Sequence, residues 1–278
     1  MKYLDIPVPE TVTACYVVPL PKPMSEKSVR KLVVKAARSR LAAPLATLTV
    51  NRLKDGGTEI RALNPGPGAP SVPRPESGAH ALLDAAAYAV ISVTDYPSLG
   101  AMQELMARAT AAALAARFDV PMLNAEAEEV VDPHDAIAAL PDASYAQAGN
   151  IRISVQLRHW VAFDDTEYEG ALWVCSDGMR RFGLPELMMS CGERDDLRPQ
   201  LTEFLSTVAF RIWSRLVAQT NTEQQDLPDD VRIPAEMTID GNLVGLSIQE
   251  GRGIWLRVWP LFDVDTLSAS GEPAVRTG

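Results

Sequence analysis

From Arg152 to Cys191 the apolar residues come in short runs separated by turn signals, the pattern of a sheet with a buried face. Ile151 to Phe163 reads as a long strand, Asp164 to Gly170 as an acidic turn, and Ala171 to Cys175 as the strand returning antiparallel. A turn closing near Phe163 opposite Gly170 sets Trp160 across from Trp173, a type of aromatic pair that stabilises a hairpin by about 0.2–1 kcal/mol relative to alanine. A Gly-Met…Gly-Leu-Pro-Glu corner, Gly178 to Glu186, leads into a third short strand, Leu187 to Ser190. Leu197, Leu201, Phe204, Leu205, Val208, Ile212 and Leu216 then recur at helical spacing, with Asp195 or Asp196 as the cap and Pro199 in the first turn. Strands followed by a long one-sided helix make this a compact α+β unit with its own core.

The first half of the chain alternates between the two periods. Thr13 to Leu20 reads as a strand ended by Pro19 and Pro21. Ser25 is the expected N-cap of a helix whose inner face is Val29, Leu32, Val33, Ala36, Ala37 and Leu41. Leu45 to Leu53, rich in Thr, Val and Leu, is expected to be a second strand, with Asp55-Gly56-Gly57 turning it back onto a short partner from Thr58 to Leu63. Asn64 to Ser77 holds five prolines and two glycines and must be a loop, since proline neither donates to a ladder nor continues a helix. Ala87 to Thr94 is a buried strand, and Ser98 caps a helix from Leu99 to about Arg117 with Met102, Leu105, Met106, Ala109, Ala113 and Leu114 on its inner side. Val120 to Ala125 is a further strand, and Asp132 caps a short helix starting at Pro133. Residues 14–53 and 87–126 thus share one plan of strand, turn, helix and strand, as a duplicated βαβ-type unit in one sheet would.

After a polar linker, Asn221 to Asp230, three strands are expected: Ala235 to Ile239, Leu243 to Gln249 and Ile254 to Trp259. The turns Asp240-Gly241-Asn242 and Glu250-Gly251-Arg252-Gly253 make them an antiparallel meander. The expected fold is α+β, with mostly antiparallel sheets, amphipathic helices packed on one face, and two sequential subdomains, 1–145 and 150–265, before a disordered tail at 268–278.

Composition narrows the classes. With 278 residues and 47% hydrophobic content the chain can bury a large core. No apolar stretch reaches the length of a membrane span, the proline-broken start lacks the form of a signal peptide, and three cysteines make no disulfide framework. These features point to a cytoplasmic location. The net charge is −10 and uneven: no lysine follows Lys54, and residues 150–278 hold twelve arginines against twenty acids. Such a surface repels nucleic acid and anionic lipid and complements a basic protein.

The segment LWVCSDGMRRFGLPELMMSCG, with its following helix, resembles a family of uncharacterised bacterial proteins whose C-terminal domain carries a Gly-Met-x-x-x-Gly-x-Pro-Glu corner after a Trp-rich strand. Trp173, Gly178, Met179, Gly183, Pro185 and Glu186 are the matching residues, and the resemblance is strongest between 158 and 192. It implies a domain type and no activity.

Few residues stand out chemically. Glu186, at the corner, is either a carboxylate for acid–base work or an acceptor for backbone N–H groups, and the second reading is preferred. His159, Cys175 and Cys191 lie on neighbouring strands without any short Cys-x-x-Cys pair, so neither a metal nor another cofactor is assigned. Neither a Gly-x-Ser-x-Gly elbow nor a phosphate-binding glycine pattern occurs. Lys22, Lys27, Arg30, Lys31, Lys35, Arg38 and Arg40 cluster on and before the first helix, as on a solvated face or a nucleic-acid contact. Trp255, Arg257 and Trp259 share one face of the last strand, a composition common at interfaces. The leading expectation is a non-enzymatic protein that binds another protein, of adaptor or immunity type. The alternatives are a hydrolase or transferase using Glu186 with an aspartate of the 164–169 turn, and nucleic-acid binding through helix 25–41.

Overall fold

A computed structural model of the chain describes residues 2–64, 85–97, 102–125, 129–140, 156–161, 172–177, 179–192, 198–220, 229–250 and 254–261. In chain order the elements are β1 (Tyr3–Pro7), β2 (Val12–Leu20), α1 (Glu26–Arg40), α2 (Ala43–Lys54), β3 (Glu59–Leu63), β4 (Ala87–Asp95), α3 (Met102–Phe118), β5 (Met122–Asn124), β6 (Glu129–Val131), α4 (Pro133–Ala138), β7 (Gln156–Val161) and β8 (Leu172–Asp177). A 3-10 turn (Met179–Phe182), β9 (Glu186–Gly192), α5 (Arg198–Thr220), β10 (Asp230–Pro234), β11 (Glu236–Ile239), β12 (Asn242–Glu250) and β13 (Ile254–Pro260) complete them. They form two compact units, one of Glu10–Ser154 and one of Met1–Pro9 with Val155–Gly278. The second therefore takes its first strand from the chain's start, whereas the sequence reading places residues 1–145 together. The cause is pairing: β1 runs antiparallel to β10, Tyr3 opposite Pro234 and Pro7 opposite Asp230. Ile6, Val231 and Ile233 are buried there.

In the first unit the strand order is β3-β4-β2-β5-β6, all antiparallel. Following the chain, β2 reaches β3 through α1 and α2, and β4 reaches β5 through α3, each pair enclosing a strand of the other. This interleaved pair of split β-α-β units is the ferredoxin-like order. A strand-helix-strand plan recurs, but the first copy closes on β3 (Glu59–Leu63) and not within the expected residues 14–53. Residues 45–53 are not a strand but most of α2, and β3 pairs with β4 rather than with them. Pro44 sits in the first turn of α2, and Leu45, Ala46, Thr49, Val50 and Leu53 are buried at helical spacing. Burial on one face outweighs the small helix penalty of Thr and Val. Asp55-Gly56-Gly57 accordingly ends a helix; the Asp55 N–H bonds to the Asn51 carbonyl, and Gly56 takes φ +80°.

The local signals elsewhere hold. Ser25 caps α1, and Asp132 caps α4 by accepting from His134 N and Asp135 N. Helix α3 departs from the expected one-sided pattern: every residue from Gln103 to Ala116 is buried. It lies on β2 and β4, with α1, α2 and α4 packed around it, which covers it on every side. On the other face of this sheet Val17, Tyr88 and Leu123 form a small separate cluster.

The second unit has a six-stranded sheet, β11-β12-β13-β9-β8-β7. Only the β13–β9 pair is parallel among the described strands of this sheet. Trp160 stands opposite Trp173 in register, as the hairpin reading requires. Asp240 and Gly241, at φ +48° and +86°, close the two-residue β11–β12 hairpin with the twist such loops favour. Val174, Leu187, Met189, Leu256 and Val258 share the buried face, and Leu201, Leu205, Val208, Ile212 and Leu216 of α5 are buried at helical spacing. Each such side chain contributes roughly 1.5–3 kcal/mol by leaving water. Strand β10 is not among the expected elements; only its first residue, Asp230, belongs to the expected linker. The strand is held to α5 by Gln219, whose side-chain amide donates to the Arg232 carbonyl (2.9 Å) and accepts from its N–H (3.0 Å). The acidic turn 164–170, residues 65–77 of the proline-rich loop, the caps Ser98, Asp195 and Asp196, the 251–253 turn and the 268–278 tail lie outside the described residues.

Candidate functional site

The corner predicted from Gly178 to Glu186 resolves into a brace. Gly178 itself lies outside the described residues. Met179 opens the 3-10 turn and is fully buried. Gly183 follows at φ +78°, a left-handed conformation that glycine enters without steric strain. The Gly183 N–H bonds to the Arg180 carbonyl (3.0 Å), and the Leu184 N–H to that of Met179 (3.3 Å). These are the paired closing bonds of a Schellman motif, with Met179 and Leu184 buried as its apolar contact. Pro185 then directs the chain into β9. Glu186 is 4% exposed. One of its oxygens accepts from the Ser176 hydroxyl (2.6 Å) and the other from the Arg180 N–H (3.3 Å), while Ser176 Oγ accepts from the Leu187 N–H (2.7 Å). Glu186 thus ties β8, the corner and β9 together. Both of its oxygens are engaged in that tie, the geometry of a structural acceptor rather than of a carboxylate aimed at substrate.

The second predicted group, Trp255, Arg257 and Trp259, lies beside the corner, because β13 runs parallel to β9 with Trp255 next to Glu186 and Arg257 next to Met188. Leu256 and Val258 point into the core, so strand alternation turns the three to the opposite face. The Arg257 guanidinium lies 3.6 Å from the centre of the Trp259 ring and 4.9 Å from that of Trp173. Trp173, on β8, is buried, and the sequence reading left it out of this group. Its only signal was the Trp160–Trp173 register, which says nothing of β13. Stacking of a guanidinium on a ring is worth about 0.5–2 kcal/mol, more as water is removed. Trp259 Nε1 donates to Ser247 Oγ (2.9 Å), which fixes the ring from β12. Trp259 is nevertheless 40% exposed, Leu261 52% and Leu243 43%. Leu261 N–H bonds to the Leu243 carbonyl, and both Leu261 and Trp259 pack over Gly245. A hydrogen-bonded aromatic over arginine, flanked by two exposed leucines, is an ordered apolar patch.

The basic residues of α1 are placed as a solvated face. Lys22, Lys27, Lys31, Lys35, Arg38 and Arg40 are exposed, and Arg30 turns inward to donate to the Leu53 carbonyl at the end of α2 (3.3 Å). Lys27, Arg30, Lys31 and Lys54, with Glu26, rim a shallow cavity of about 590 Å³ over Val34 and Leu53.

A buried polar cluster in the first unit was missed altogether. The Tyr16 hydroxyl donates to Glu104 Oε1 (2.5 Å), and Arg108 Nε lies 3.1 Å from both the Tyr16 oxygen and Glu104 Oε1. Burial by itself would lower the Arg108 pKa, but attraction to Tyr16 and Glu104 outweighs it and holds the guanidinium above its usual range. The available signal was a lone Glu–Arg pair spaced i to i+4 in an alanine-rich helix. Its position between helix and sheet makes it a device of the core.

Cys175 is buried and Cys15 half-buried. The side chains of His159 and Cys191 lie outside the description, and among the described residues no group of His, Cys, Asp and Glu is arranged to hold a metal ion. No described helix is long and apolar enough to cross a membrane. Neither family models, nor curated proteins, nor solved structures match this chain.

Proposed function

We propose that this chain is a non-catalytic binding protein whose partner is another protein, held by the patch around Trp259. The observation that supports this reading is the Trp173–Arg257–Trp259 stack. It places an exposed, pre-ordered tryptophan and two exposed leucines on the unit that carries the acidic excess. Binding hot spots are rich in Trp and Arg, and a ring already held by a hydrogen bond and a stack loses little freedom on binding. The fitting partner has an apolar socket for Trp259 and Leu261 inside a basic rim, as an adaptor or an inhibited toxic protein would offer. The engaged oxygens of Glu186 favour this over a carboxylate-based enzyme.

The test is affinity capture from the organism of origin with wild-type protein and a Trp259→Ala/Leu261→Ala variant in parallel. A partner retained by the wild type and released by the variant is expected. Repeated recovery of no partner, or equal retention by both proteins, removes the proposal.

A further inference from the structure

Among the described residues β11 has β12 on one side and no strand on the other, so one edge of the six-stranded sheet ends there. That edge is not bare to solvent on all sides. A groove of about 740 Å³ runs along it, with Ala235 to Ile239 as one wall and Arg211, Ser214, Arg215 and Ala218 of α5 as the other. These four are spaced three and four apart, so a single helix face lines the groove. Lys2 also lines it. Among the described residues no ion pair engages Lys2, Arg211 or Arg215, and the only acid lining the groove is Glu236. On a chain of net charge −10 this is a local cationic site.

We infer that this groove binds an extended peptide segment carrying carboxylates, which adds as a strand to β11 beneath α5. Three features favour that occupant. An unpaired strand edge supplies alternating N–H and C=O groups that an extended chain matches and a helix does not. The β11 residues Met237 and Ile239 are buried, which pins the strand's register. The arginines offer forked donors that suit carboxylates. The surrounding acidic surface restricts the occupant to a few carboxylates among apolar residues, since a polyacid is repelled before it arrives. The groove shares Leu243 with the Trp259 patch but is lined by neither Trp259 nor Leu261, so variants at those two residues tell the sites apart.

The test uses the full chain and a rhodamine-labelled octapeptide, Val-Thr-Val-Glu-Val-Glu-Val-Thr, read by fluorescence anisotropy. The expected result is saturable binding, weakened roughly tenfold or more by Arg211→Glu/Arg215→Glu and in the peptide with lysine in place of its glutamates. Both arginines are exposed, so the double variant keeps its fold, checked by circular dichroism. Two N-methylated peptides complete the test, one blocked at the odd and one at the even positions, because a strand presents alternate N–H groups to opposite sides. One should lose binding and the other keep it. Absent binding, binding indifferent to the arginine reversal, or equal behaviour of the two N-methylated peptides overturns the inference. Trp259→Ala/Leu261→Ala should leave this binding unchanged, which separates the two sites.

Discussion

Arg108→Met tests how the first unit is held together. Arg108 and Glu104 are 8% and 3% exposed, 3.1 Å apart, and share the Tyr16 hydroxyl. At that distance and an effective dielectric constant near 20, their attraction is about 5 kcal/mol, most of which offsets the loss of hydration. Removing only the guanidinium keeps that desolvation cost for Glu104 and discards the attraction, so the expected destabilisation is about 3–5 kcal/mol. Replacing all three members by apolar neighbours, as Tyr16→Phe/Glu104→Met/Arg108→Met, should recover the loss to within about 1.5 kcal/mol. The two units can be followed separately, because all five tryptophans belong to the unit containing residues 155–278. Urea unfolding read by tryptophan fluorescence should keep its midpoint in Arg108→Met. The remaining transition, read by far-UV circular dichroism, should fall by about 1.5–2.5 M for a slope near 2 kcal/mol/M. Acid should relieve the defect. In Arg108→Met the buried Glu104 carboxylate keeps the Tyr16 hydroxyl but loses its guanidinium partner, so protonating it at low pH should recover part of the lost stability. In the wild type, Arg108 is held above the usual arginine range by Tyr16 and Glu104, so it stays charged and its contribution does not change at working pH. A triple variant as unstable as Arg108→Met, or an Arg108→Met variant of wild-type stability, would refute this account.

Gly183→Ala forces a side chain into φ +78° and should destabilise the tryptophan-reporting transition by about 1–2 kcal/mol; an unshifted fluorescence midpoint counts against the corner geometry. Ser176→Ala removes a partner from both the buried Glu186 carboxylate and the Leu187 N–H, with an expected loss of about 1–3 kcal/mol in the same transition. Ser25→Ala should lower only the dichroism-reported transition, by about 0.5 kcal/mol, since the capping contact to Ser28 N is long at 3.4 Å. Arg257→Leu should free the Trp259 ring, seen as a red-shifted emission and faster anisotropy decay without loss of the fold.

Elements whose causes are local were legible in the sequence. Helix α1 follows from one apolar stripe and Ser25, α4 from Asp132-Pro133, and the β11–β12 hairpin from Asp240-Gly241, because a cap or a tight turn involves neighbours along the chain. The Trp160–Trp173 register was legible for the same reason, one turn closing one hairpin. The Trp255, Arg257, Trp259 face could be read from strand alternation alone. Tertiary structure decided the rest. Leu45 to Leu53 carries strand-forming residues, yet burial of one helical stripe made it α2. The β1–β10 pair joins residues as far apart as Asp5 and Arg232, a contact no local pattern encodes. Arg257 meets Trp173 across the intervening β9, which required a parallel β13–β9 pair that no turn signal announces. Turns and caps are set by backbone preferences within a few residues, whereas burial and long-range pairing depend on which surfaces are left to cover once the whole chain has folded.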